Sequence, residues 1–100
     1  MTKKFETKAI RTQIERSKNS EHSSPLYLTS SFVFDTAEDM SSAFTEEENK
    51  TNIYSRFTNP NTTEFIQKIT QMEGAEDGVA FASGMGAIYS TFAALLNSGD

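Results

Sequence analysis

Residues 87–96, AIYSTFAALL, read as a helix built from small and apolar residues, interrupted only by Ser90 and Thr91. A helix that is hydrophobic nearly all round needs cover on more than one side. Just before it, GVAFA at 78–82 carries no charge and suits a buried parallel strand. A tight SGMG turn at 83–86 separates the two. The helix–strand–turn–helix order over residues 61–100 predicts an α/β layer on a parallel sheet. One strand makes no sheet, and nothing else in these 100 residues supplies a second convincing αβ unit. Residues 61–100 are therefore expected to begin a larger domain.

The preceding residues offer little core. Hydrophobic residues make up 36% of the chain and the mean hydropathy is −0.51, polar for a globular domain. In residues 1–24 only Phe5, Ala9, Ile10 and Ile14 could form an apolar stripe. Their spacing predicts a short helix over about 7–16, stopped by the polar run SKNSEHSS and Pro25. Residues 26–34 are rich in β-formers and read as a strand or extended segment. Asp35 with Glu38 has capping-box spacing and opens a helix with Ala37, Met40, Ala43 and Phe44 facing inward. Glu46, Glu47 and Glu48 read as a solvated loop. A second capping-box spacing, Asn61 with Glu64, starts a helix through Phe65, Ile66, Ile69 and Met72, which Gly74 terminates. On this reading residues 1–24 form an extended arm and residues 25–62 are short elements joined by loops.

Composition excludes several function classes. With no cysteine and a single histidine, His22, the chain has no disulfide framework and no Cys- or His-based metal cluster. A net charge of −5 with scattered bases disfavours non-specific nucleic-acid binding. The charged stretch after Lys3 and Lys4 is no secretory signal, and no apolar run approaches a membrane span. A cytoplasmic location is the default expectation.

Two segments could carry chemistry. The SGMG turn precedes a helix start, where unpaired N–H groups and the positive end of the helix dipole can seat an anion. On spacing alone, a simple turn whose glycine supplies a positive φ is the favoured alternative. In YSRFTNPN at 54–61, Tyr54 and Arg56 are two apart, so an extended backbone would point both the same way. A phenol beside a guanidinium fork can clamp a phosphate or carboxylate; standing alone, the octapeptide reads more simply as a surface Arg and a half-buried Tyr. Ser83 has no histidine placed to activate it as a nucleophile, and His22 has no evident partner.

Taken together, YSRFTNPN at 54–61, EGAED at 73–77 and FASGMGAI at 81–88, with PLYLTSSFVF at 25–34 before them, resemble the Cys/Met-metabolism enzymes that use pyridoxal 5'-phosphate. The likeness runs from about residue 7 to residue 100. EHSSPLYLTSSFVF with YSRFTNP leans towards the O-succinylhomoserine sulfhydrylase branch, with methionine γ-lyase and cystathionine γ-synthase as alternatives.

The resemblance implies an arm (residues 1–60) followed by the first helix–strand–helix of a fold-type I, three-layer αβα large domain with a mostly parallel sheet. It implies that Tyr54 and Arg56 bind the cofactor phosphate in a neighbouring subunit's active site. Gly84 and Met85 would give backbone N–H bonds to the phosphate of their own subunit. It further implies a homotetramer built from catalytic dimers and a small amino-acid-derived substrate, with neither a nucleic acid nor a membrane as partner. The family's catalytic lysine matches none of Lys3, Lys4, Lys8, Lys18, Lys50 or Lys68, so the chain alone is expected to be inactive, with no catalytic residue of its own. A non-catalytic interaction or phosphate-binding fragment is the remaining alternative.

Overall fold

A computed structural model of the chain describes residues 3–45 and 51–100. The glutamate run at 46–48 lies outside the described residues. Four helices follow one another: α1 (Phe5–Arg11), α2 (Ala37–Thr45), α3 (Pro60–Glu73) and α4 (Gly84–Leu95).

Helix α1 stops at Arg11, five residues short of the expected end. The backbone beyond it finds partners on α3 instead of in a helical ladder. The Ile14 N–H donates to the Glu64 carboxylate at 3.2 Å, and the Thr12 hydroxyl donates to Gln71 Oε1 at 2.9 Å. The Lys8 ammonium reaches the Gln71 carbonyl at 3.2 Å. Helix α1 packs on α3, and among the described residues this is the only helix pair in contact.

Both expected capping boxes fall elsewhere. At α2 the cap is Thr36, whose hydroxyl accepts from the Asp39 N–H at 3.0 Å and donates to the Asp39 carboxylate at 2.7 Å. The box is thus Thr36 with Asp39, one residue later than Asp35 with Glu38, because the hydroxyl both donates and accepts. At α3 the cap is Asn59, whose side chain accepts from the Asn61 N–H, with Pro60 in the first turn where a missing N–H costs nothing. Asn61 and Glu64, released from capping, tie down the arm. The Asn61 amide donates to the Pro25 carbonyl at 2.7 Å and accepts from the Tyr27 N–H at 2.8 Å. Gly74 closes α3 in the left-handed region at φ 69°, as expected from its position.

No strand forms among the described residues. Residues 26–34 make one antiparallel bridge, Ser31 with Tyr54, flanked by the bonds Phe32 N–H to Ile53 O (3.1 Å) and Ser55 N–H to Ser30 O (2.8 Å). Residues 78–82 cross α3 without a ladder partner. A Cβ at Gly78 would stand 2.8 Å from Thr70 Cγ2, so glycine permits the crossing. A strand needs a neighbour, and the described residues provide none for 78–82. The αβα sheet is accordingly not formed by these residues.

Little is buried. Ala43, Thr12 and Asn59 are the buried positions among the described residues. The radius of gyration is 16.5 Å, against about 13 Å for a compact domain of this length. Helix α4 exposes Ile88, Tyr89, Phe92 and Leu95, and Leu96 at its C-cap is exposed as well. The apolar circumference read from AIYSTFAALL is thus real and left uncovered by the described residues.

Candidate functional site

Two groups of residues make up the candidate site. The first is a turn at residues 54–57. The Tyr54 carbonyl accepts from the N–H groups of Phe57 at 2.9 Å and Thr58 at 3.0 Å. Tyr54 and Arg56 therefore come together through a turn, not along an extended strand. The Arg56 guanidinium lies over both the Tyr54 and Phe57 rings, 5.4 Å from each centroid. Such cation–π contacts, each about 0.5–1 kcal/mol at exposed sites, orient the guanidinium without neutralising it. Arg56 has no carboxylate partner among the described residues; the ion pair found there joins Lys68 to Glu64. Its fork remains available to an anion. It borders a cleft shared with Ser55, Phe57, Val79, Phe81 and Ala82.

The second group is the start of α4. Ser83 caps the helix, its Oγ accepting from the Gly86 N–H at 3.0 Å, and the Ala87 N–H bonds to the Ser83 carbonyl at 3.1 Å. The next two donors upstream, the N–H groups of Gly84 and Met85, find no acceptor among the described residues. Gly84 has no positive φ, which removes the tight-turn explanation for it, and a Cβ there would meet nothing within 4 Å. The packing of the described residues gives no reason for glycine at 84. Two free, exposed N–H donors on an open glycine at a helix N-terminus suit a phosphate.

No hydrogen bond or ion pair joins Tyr54 or Arg56 to Gly84 or Met85 among the described residues. Sequence reasoning passed over Asn59 and Ser55. Asn59 is 8% exposed, and its amide donates to the Tyr27 carbonyl and to Ser55 Oγ, both at 3.1 Å. The Asn-Pro signature of a helix start was readable, but the spacing of Asn61 and Glu64 drew the cap two residues downstream.

Away from this site, two carboxylates are held below the usual glutamate value of 4.5. For Glu64 burial alone would push the value up, and the bonds from Ser24 and Ile14 with the Lys68 charge outweigh it. Glu21 is lowered by hydrogen bonds from the Ser17 backbone and hydroxyl. Among the described residues no cluster of three or more His, Asp or Glu could hold a metal ion, and no helix is long and apolar enough to cross a membrane.

The sequence model of the family described as Cys/Met metabolism PLP-dependent enzyme matches residues 6–100. The chain belongs to that family. Among curated relatives, it is similar to O-succinylhomoserine sulfhydrylase of Pseudomonas aeruginosa, 45% identical over 96 residues, 96% of this chain and 24% of the relative. It is also similar to L-methionine gamma-lyase of Fusobacterium nucleatum, 47% identical over 76 residues, 76% of this chain and 19% of the relative. The O-succinylhomoserine sulfhydrylase of Mycobacterium tuberculosis is 35% identical over 94 residues, 94% of this chain and 23% of the relative. The chain spans about a quarter or less of the length of the relatives it matches. The cofactor follows from membership, since the family depends on pyridoxal 5'-phosphate.

Proposed function

We propose that these residues are the N-terminal part of a pyridoxal-phosphate-dependent sulfhydrylase that makes homocysteine from O-succinylhomoserine and sulfide. The observation that carries the cofactor half of this reading is a pair of unpaired groups of the right charge. The Gly84 and Met85 N–H donors have no acceptor, and the Arg56 cation has no anion, among the described residues. The sulfhydrylase assignment rests on the 45% identity to the Pseudomonas aeruginosa enzyme over 96 residues. When bound, the cofactor supplies an electron sink for the substrate's amino-bearing carbon. The residues here bind and orient it through its phosphate.

In this reading Gly84 and Met85 hold the phosphate in their own subunit. Tyr54 and Arg56 reach it from the neighbouring subunit, with the arm of residues 1–60 lying across the interface. The exposed Leu26, Leu28 and Val33 of the arm, 77%, 92% and 96% accessible, suit burial against a second copy. The assembly is a homotetramer of catalytic dimers in the cytoplasm, acting on a small amino-acid-derived substrate.

A second reading, methionine γ-lyase, is favoured by the 47% identity over 76 residues to the Fusobacterium nucleatum enzyme. The test is to load the native protein carrying these residues with pyridoxal phosphate and measure two products. Homocysteine from O-succinylhomoserine and sulfide supports the first reading. Methanethiol from methionine as the dominant product selects the second, and neither product refutes both.

A further inference from the structure

We infer that Asn59 is a positioning residue for the cofactor phosphate, acting through the turn that carries Tyr54 and Arg56; the inference rests on the phosphate role proposed for that pair. Asn59 is one of the few buried residues, at 8% exposure, and it is polar. All of its side-chain groups are used. Its Oδ1 accepts from the Asn61 N–H at 2.9 Å, and its Nδ2 donates to the Tyr27 carbonyl and to Ser55 Oγ, each at 3.1 Å.

Capping α3 accounts for the first bond alone. A serine, threonine or aspartate would serve that purpose as well. The two Nδ2 bonds need an amide, and both lead away from the helix. One holds the arm at Tyr27. The other reaches Ser55, the residue between Tyr54 and Arg56. The Ser55 hydroxyl donates its own hydrogen bond to the Thr29 carbonyl, so it accepts from Asn59 and donates to the arm in one chain. The Ser55 N–H adds a bond to the Ser30 carbonyl at 2.8 Å. Ser55 is therefore pinned from the arm and from α3 together, and this sets where its neighbours stand. Arg56 itself is exposed and, among the described residues, its guanidinium is held by the faces of Tyr54 and Phe57. Its placement depends on its backbone, and Asn59 acts on that backbone through the hydroxyl of the preceding Ser55.

The experiment compares the affinities of pyridoxal phosphate and of pyridoxal, which lacks the phosphate, for the native apoprotein and three variants: Asn59→Ser, Arg56→Ala and the double variant. Asn59→Ser keeps a good cap and removes both amide donors. Its expected effect is about a tenfold loss of pyridoxal phosphate affinity, the scale of two neutral hydrogen bonds, with pyridoxal affinity unchanged. In the Arg56→Ala background the same substitution should add little. If Asn59→Ser weakens both ligands equally, or adds its full effect on top of Arg56→Ala, Asn59 is structural only and the inference is overturned. If Arg56→Ala weakens pyridoxal phosphate and Asn59→Ser does not, the inference fails while the phosphate role of Arg56 stands. If Arg56→Ala leaves the affinity unchanged, the phosphate role itself fails and the inference falls with it. Should Asn59→Ser not accumulate as folded protein, Ser55→Ala breaks the same chain and carries the same expectation of a selective loss.

Discussion

Glu64 Oε2 accepts the backbone N–H of Ile14 at 3.2 Å, across 50 positions of sequence. The same oxygen accepts the Ser24 hydroxyl, and Oε1 pairs with Lys68 at 3.5 Å. One carboxylate on α3 thereby gathers both ends of the polar run at residues 14–24. Its side chain is 14% exposed, so these bonds are shielded from water.

The first prediction concerns pH. The folded environment lowers the Glu64 value below 4.5, so this group's contribution is fully present above that value and is lost as pH falls through the lower folded value. Protection of the Ile14 amide against hydrogen exchange should hold at neutral and mildly acidic pH and fade below about 4.5. Glu64→Gln should remove the acid dependence and cost about 1–2 kcal/mol of stability, measured by denaturant unfolding of the native protein. An unchanged acid profile in Glu64→Gln would assign the transition to another group.

Capping at α2 separates two adjacent residues. Thr36→Ala should cost about 1 kcal/mol, because the Thr36 hydroxyl both accepts the Asp39 N–H and donates to its carboxylate. Asp35→Ala should stay within about 0.5 kcal/mol. Thermal unfolding of the two variants checks the difference.

The body of helix α3 and that of α4 were readable from the order of residues, and so were the cap at Gly74 and the exposed apolar surface of 87–96, whereas α4 starts at Gly84, inside the expected turn at 83–86. Those features depend on local chemistry: φ at a glycine and helical spacing. The arm's attachments were not readable. Asn61 and Glu64 have the spacing of a capping box, and only the tertiary structure shows them bonded to Pro25, Tyr27, Ile14 and Ser24 instead. Side-chain spacing cannot rank a local acceptor against one far along the chain. In the candidate site the sequence placed Tyr54 beside Arg56 and glycine at a helix start. The turn rests on local bonds to the Tyr54 carbonyl that side-chain spacing does not reveal, and the attachment of the buried Asn59 behind it depends on its bond to Tyr27, far along the chain.

Glycine substitutions separate ligand approach from packing. A Cβ at Gly84 meets nothing within 4 Å, so Gly84→Ala should leave the melting temperature of the apoprotein unchanged. On the proposed phosphate role of Gly84 it should nonetheless weaken pyridoxal phosphate several-fold, because the added methyl group would crowd that seat. Gly78→Ala should behave oppositely. Its Cβ would stand 2.8 Å from Thr70 Cγ2, so it should lower the melting temperature with the cofactor affinity of the folded fraction retained. Calorimetry and cofactor titration on both variants provide the check.

Replacing Arg56 by lysine tests the fork. Lysine keeps the charge and loses the planar bidentate geometry and the stacking on Tyr54 and Phe57. Arg56→Lys should retain part of the pyridoxal phosphate affinity that Arg56→Ala loses, and its residual binding should fall more steeply with added salt. Equal affinities for the two variants would mean that the charge of Arg56 is not used.

The split of the phosphate seat between subunits is tested most directly by complementation. Arg56→Ala and Gly84→Val each damage one half of the proposed seat. When the two proteins are mixed, dissociated and reassembled, hybrid dimers pair an intact Arg56 with an intact Gly84 at one of their two sites. Pyridoxal phosphate binding should then return at about a quarter of all sites, given random pairing in two-fold dimers. No recovery above the two separate variants would show that Arg56 and Gly84 serve the same subunit, and would contradict the account.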